Sequence, residues 1–362
     1  VFDDDDTEAL LMADASNAFN RLNREACLHN IQHLCPAMSA IVINTYRHPA
    51  NLIVGGEVIR SREGTTQGDP IAMPLYALGV LPLLRSVATE GTVQAWFADD
   101  SSAGGKLVKV RAWWDALTTK GPLYGYHLNP SKSVLLVKPA VLGLAQELFR
   151  DTGVTIRVDG CRYLGAAIGT AEFLQSYVEG KVQSWIGQLE RLTVIASSQP
   201  QAAFSAFTSG LKHKWSFLCR TMSNAAPSFG PLESAIRDKL IPAITGRQIC
   251  EEDRAVLALP CRYGGLGIID PTQLASQYQS SKQITRTLQQ NIIQQVMPLG
   301  DAICDGQAAK KAVQTSARNA LRTHAATVCS SLSADQQRTV ELAAEKGASG
   351  WLTCRPLKRH GF

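Results

Sequence analysis

No apolar run in the chain approaches the roughly 20 residues needed to cross a bilayer, and no basic-then-apolar leader opens it. Membrane insertion and secretion are unsupported, so an intracellular setting, nucleus or cytoplasm, is the expectation. Paired cysteine spacing is also missing. The nine cysteines, at 27, 35, 161, 219, 250, 261, 304, 329 and 354, include no Cys-x-x-Cys. That excludes a zinc ribbon or thiol redox motif of that spacing and predicts reduced, mostly buried thiols. Internal repeats and low-complexity tracts are lacking too. Charge is only mildly unbalanced, with 36 Lys and Arg against 31 Asp and Glu, which permits a nucleic-acid partner without arguing for one.

What is present is a globular composition: 362 residues with 45% hydrophobic content, enough for two or three packed units. Ala9 to Ala13 is a short apolar run that delivers Asp14 at its end, the pattern of a buried strand with a functional side chain at its tip. Ser16 or Asn17 can cap a following helix whose apolar positions run to Leu34 before Cys35-Pro36, and a second helix covers Ser39 to Tyr46. Gly55-Gly56 between β-branched residues predicts a hairpin. A loop from Gly64 to Asp69 then leads into an apolar helix over Pro70 to Val87.

Val93 to Ala98 reads as a strand, Asp99-Asp100 as its turn and Ser101 to Ala103 as the return, so the acidic pair sits on a hairpin tip. Lys106 to Lys120 suits a helix, Ser133 to Val137 a strand, Val141 to Arg150 a helix, and Thr155 to Ile168 a hairpin around Asp159-Gly160. Beyond that the chain turns helical. Val178, Val182, Trp185, Leu189 and Leu192 follow helical spacing, and further helices are expected over Ala202 to Met222, Pro231 to Ala243 and Ile284 to Val296.

Three carboxylates at two strand tips are the donor set of a two-metal phosphoryl-transfer site. Hard magnesium ions prefer carboxylate oxygen, and a pair of ions roughly 3.5–4 Å apart activates the attacking hydroxyl and stabilises the leaving group. Asp14 and the Asp99-Asp100 turn meet this need if their strands pair. The alternative for Asp-Asp alone is a polar β-turn.

Five segments, in order, carry a resemblance. They are Asp14-Ala15-Ser16-Asn17-Ala18-Phe19-Asn20, then Gln67-Gly68-Asp69-Pro70 with Pro74-Leu75, then Phe97-Ala98-Asp99-Asp100, then Gly125 to Lys132, and Tyr163-Leu164-Gly165. Together they resemble motifs A to E of the reverse transcriptases of retroelements, especially the non-long-terminal-repeat type. The resemblance implies an α+β polymerase palm, an antiparallel sheet with helices on one face, over residues 1–170. A helical thumb over 171–250 and a helical C-terminal region of unknown role over 251–362 would follow.

It further implies RNA-directed DNA synthesis with deoxyribonucleoside triphosphates on an RNA or DNA template carrying a primer. Asp14, Asp99 and Asp100 would hold two Mg²⁺ ions, with Mn²⁺ as a substitute. Ala15 and Phe19 would contact the incoming nucleotide, the Phe19 ring excluding a 2′-hydroxyl, and Gln67 and Gly68 would lie at nucleotide and template. Lys132 would sit near the triphosphate, Tyr163, Leu164 and Gly165 would grip the primer, and Lys181, Arg191, Lys212, Lys214 and Arg220 would follow the duplex.

Each position has a plainer reading beside it: Phe19 as core, Gly68-Asp69-Pro70 as a turn, Lys132 as a solvated cation, Tyr163 to Gly165 as packing. Two departures from the pattern stand out. Met73 occupies the place before Pro74 where the family usually has serine, and only 13 residues precede Asp14, too few for the family's fingers. With Val1 in first position, the chain reads as a piece of a longer polyprotein or as a decayed copy. The acidic run Asp3 to Asp6 reads as an exposed end rather than a metal site. Two other functions stay open: a catalytically inactive remnant acting as a nucleic-acid-binding module, and an RNA-dependent RNA polymerase.

Overall fold

A computed structural model describes residues 6–66, 68–222, 224–278, 286 and 299–353. Gln67, Asp3 to Asp5, Cys354 and nearly all of the helix expected over Ile284 to Val296 lie outside the described residues. The described chain mixes helices and strands and falls into two compact units, residues 1–163 with 168–170, and residues 164–167 with 171–362.

The first unit is built on a five-stranded sheet in the order β4-β5-β1-β6-β7. Its strands are β1 (Ala9–Ala13), β4 (Thr92–Phe97), β5 (Asp100–Gly105), β6 (Val134–Val137) and β7 (Thr155–Arg157). β1 is central, antiparallel to β5 on one side and to β6 on the other, and both its faces are covered. Leu11 and Ala13 join the larger core with Leu83, Trp113 and Phe149, contributed by the helices and the segments that end them, whereas Met12 packs with Leu136 and Cys161. This explains the unbroken apolar run at Ala9 to Ala13, because a strand buried on both faces has no reason to alternate.

The sheet is mixed rather than antiparallel throughout, since β6 and β7 run parallel. The segment between them contains α6 (Leu142–Leu148), and a helix-containing crossover is what lets consecutive strands lie parallel. The hairpin expected around Asp159-Gly160 is displaced accordingly. β7 joins the main sheet, and β8 (Gly160–Tyr163) pairs with β9 (Ala166–Gly169) instead. Its turn is Leu164-Gly165, with φ of 47° and 82°, the positive pair a tight two-residue hairpin requires.

The helix expected from residue 17 to residue 35 is broken into α1 (Ala18–Arg21) and α2 (Arg24–Leu34). Asn17 has left-handed backbone and makes no side-chain cap. Asn23 is the working cap, its side chain accepting from Ala26 N–H at 3.0 Å. The break is enforced by Gly125, where a Cβ would lie 1.8 Å from the Arg21 carbonyl oxygen at a φ of 76°. α3 (Pro36–Tyr46) begins at the proline, earlier than Ser39. The Gly55-Gly56 turn joins β2 (Ala50–Val54) to β3 (Glu57–Ser61), and α4 (Ala72–Val87) and α5 (Leu107–Lys120) complete the helical layer.

The second unit opens with α7 (Ala171–Ala196), which buries Val178, Val182, Trp185, Leu189 and Leu192 on one face. The single helix expected over Ala202 to Met222 is two, Pro200–Ser209 and Ser216–Thr221, interrupted at Gly210. The stretch from Gly230 to Thr245 holds a π-helical turn at Ile236–Leu240. Residues on both sides of position 250 share one core that includes Trp185, Phe229 and Ile268. Arg254, 7% exposed at its side chain, meets Glu233 through two bonds of 2.6 and 2.7 Å and donates to the Ile268 carbonyl at 2.7 Å.

Candidate active site

The β1–β5 pairing brings the acidic residues together. Ala13 faces Ser101 in the antiparallel ladder, so the next rung sets Asp14 level with Asp100, while Asp99 lies in the turn between β4 and β5. The ladder of that hairpin closes at Phe97 and Asp100. Its turn is sharp, with Ala98 at a φ of 57°, an unfavourable conformation for a residue with a Cβ and one that concentrates at working sites.

Asp14, Ala15, Phe19, Asp99, Asn129 and Lys132 line one open cavity of about 480 Å³, a volume in the range of small-molecule sites. The proximity of the carboxylates has an electrostatic signature. The Asp100 carboxyl is held above its ordinary range, first by burial and then by repulsion from Asp99 and Asp14. Phe19 lines the cavity and stacks on Tyr76 at 4.4 Å between centroids.

The floor of the cavity is fixed by backbone bonds from the segment that carries Lys132. Asn129 N–H donates to the Asp14 carbonyl at 2.8 Å and Ser16 N–H to the His127 carbonyl at 2.8 Å, around an isolated bridge between Ala15 and Leu128. Fully buried Ser133 accepts from Asp14 N–H at 3.1 Å and donates to the Asn129 carbonyl at 2.9 Å. Lys132 ends a 3-10 turn, Pro130–Lys132, and is exposed toward solvent.

Tyr126 holds the other side. Its hydroxyl donates to the Asp99 carbonyl at 2.8 Å and shares a 2.8 Å bond with Ser101 Oγ, and its ring packs on Trp96 at 5.3 Å. Burial raises the Tyr126 phenol, which keeps it protonated and able to donate. The hairpin tip is thus tied to the interior through the residue that bears the carboxylate.

A second network secures Phe19 from below. Buried Arg24 donates to the carbonyls of Ser61 at 3.0 Å, Glu63 at 2.8 Å and Gly64 at 3.0 and 3.2 Å. Gly64 then lies directly against the backbone of Phe19 and Asn20, where a Cβ would approach within 2.5 Å, and Thr65 N–H donates to the Phe19 carbonyl at 2.8 Å. Further along, the Tyr46 hydroxyl donates to Asp69, whose other oxygen accepts from Ile71 N–H at 3.0 Å. Arg24, Tyr46, Tyr76, Tyr126 and Ser133 carry no role in the sequence reading. Arg24 falls in the first turn of α2, where the dipole disfavours a cation, a position that one helix running from residue 17 to residue 35 conceals.

Not every residue singled out reaches the cavity. Asp100 adjoins it in register without lining it, and exposed Gly68, with a φ of 88°, stands apart from it. Tyr163 donates to or accepts from Ser102 at 3.0 Å and packs with Met12 and Cys161. Leu164 and Gly165 belong to the second unit, where Tyr177 donates to the Gly165 carbonyl at 3.0 Å. There Lys214 donates to Gln188, Lys181 lies over the Tyr177 ring and Arg220 over the Tyr278 ring, so these cations are engaged within the fold.

Whether the site suits magnesium can be judged from its donors. They are all oxygen, half-buried and mutually repelling, which favours capture of a hard cation. Among the described residues no group of three or more His, Cys, Asp or Glu side chains is disposed to hold a metal ion by itself. A hard cation held here would have only one or two carboxylates on it and would share its other positions with water or substrate, unlike an ion in a closed protein cage. Among the described residues no helix is long and apolar enough to cross a membrane. No protein-family model matches the chain, and neither does any curated protein.

Proposed function

We propose that this chain performs template-directed DNA synthesis as the palm of a reverse transcriptase. The observation that carries the reading is the meeting of Asp14 and Asp99, 85 positions apart in sequence, in one polar cavity with Phe19 and Lys132, beside Asp100. Bound divalent cations would supply Lewis-acid stabilisation of the attacking and leaving oxygens. Asp14, Asp99 and Asp100 would hold those cations. Tyr126 and Ser133 keep the two acidic loops in place through the Asp99 carbonyl and the Asp14 amide. Phe19, backed by Tyr76, restricts the space at the sugar and so favours deoxyribonucleotides. Lys132 sets a positive charge at the cavity wall, where it offsets triphosphate charge.

Primer extension on an RNA template with Mg²⁺ tests this. Asp99→Asn should lower synthesis by about a thousandfold, the loss expected when several kcal/mol of metal stabilisation disappear. Undiminished synthesis by Asp99→Asn refutes the role given to that carboxylate. A second reading, left open by the sequence, is a nucleic-acid-binding module without catalysis. Salt-dependent binding of an RNA–DNA hybrid by a wild-type chain that makes no product would support it.

A further inference from the structure

Away from the acidic cavity, α2 carries a donor pair of different chemistry. This helix buries Cys27 and Ile31 on its inner side and exposes His29 and His33. A spacing of four residues stacks two side chains on one stripe of a helix. The imidazole centroids stand 4.5 Å apart with their planes inclined at 63°, a separation that one ion bonded to a nitrogen of each ring can span.

The helix beneath them is held firmly. Asn23 caps its first turn, and Asn30 donates to the Gly79 carbonyl in α4 at 2.8 Å. A two-ligand chelate gains most when its donors are fixed on a rigid element, because little conformational freedom is lost on binding.

We propose that His29 and His33 form a bidentate site for a borderline divalent transition ion such as Ni²⁺, Cu²⁺ or Zn²⁺, the remaining positions being filled by water or by an external ligand. Imidazole suits these ions, whereas Mg²⁺ prefers the oxygen donors of the acidic cavity. Glu25 lies one turn before His29, but eight residues separate it from His33, about 12 Å along the helix axis. It does not complete a three-ligand set with the pair, in keeping with the absence of any such set among the described residues. The site is independent of the polymerase reading.

Titration of the full chain with Ni²⁺ under reducing conditions, read by calorimetry, tests the proposal. The chain has other histidines and cysteines, so the measurement is the difference between wild type and variants. His29→Ala and His33→Ala should each weaken one binding event by about tenfold or more, and the double variant should lose one equivalent. Pairing His33→Ala with Glu25→His restores the four-residue spacing one turn earlier and should recover the binding. All substituted side chains are exposed, and circular dichroism verifies that the helices persist. Wild-type stoichiometry and affinity in the double variant overturn the proposal, as does failure of the Glu25→His, His33→Ala chain to regain the site.

Discussion

At Asp100, burial and two neighbouring carboxylates act in the same direction, all raising its affinity for a proton. The folded chain therefore binds a proton more tightly there than the unfolded chain does. The stabilisation from that proton is fully present below the ordinary carboxylate value of 3.8 and is lost as pH rises through the folded pKa. At neutral pH the ionised group opposes folding. Asp100→Asn should raise Tm at pH 7, and the gap to wild type should narrow as pH falls into the carboxylate range. A lower Tm for the variant at pH 7 would contradict the electrostatic account. Phe19 makes a different prediction, because it lines the cavity and its ring stacks on Tyr76. Phe19→Ala should increase incorporation of ribonucleotides relative to deoxyribonucleotides by about 10–100-fold, measured as the ratio of kcat/KM values. An unchanged ratio would assign Phe19 to packing alone.

Among the elements, the connection between α1 and α2 shows what sequence pattern leaves out. Apolar positions ran smoothly across it, so periodicity joined the two helices. The break comes from a loop a hundred residues away, where Gly125 admits the Arg21 carbonyl, and no local signal encodes that contact. β7 departs from the expected hairpin for a similar reason, since hairpin or crossover is decided by which strand edge is free, and that is a property of the assembled sheet. By contrast, the β1 strand and the acidic hairpin were legible, because an unbroken apolar run and a polar turn between strands are local signatures. The supporting shell was not. Arg24, Tyr46, Tyr126 and Ser133 act through hydrogen bonds to backbone groups 23 to 119 positions away, or to a side chain in the case of Tyr46. Arg24 illustrates the energetics: its planar fork serves three carbonyls at once, which a lysine cannot reproduce. Arg24→Lys should cost about 2–4 kcal/mol in urea denaturation, from carbonyls left unpaired. A cost near zero would show that the loop over Phe19 is held by other contacts.

On the scale of the molecule, each unit encloses its own core, one around the sheet and its helices and one around Trp185, Trp215 and Phe229. The first unit has the harder task, because it must bring Asp14 and Asp99 together across 85 positions. Sheet order accomplishes this: β1 lies beside β5, so both acidic tips open on one cavity. The central claim is that this cavity binds hard divalent cations through those carboxylates. Titration of the chain with Mn²⁺, followed by electron paramagnetic resonance of the free ion, reads this without requiring synthesis. Saturable binding that weakens by about tenfold or more in both Asp14→Asn and Asp99→Asn is the predicted result. Equal Mn²⁺ affinity in wild type and both variants would contradict it.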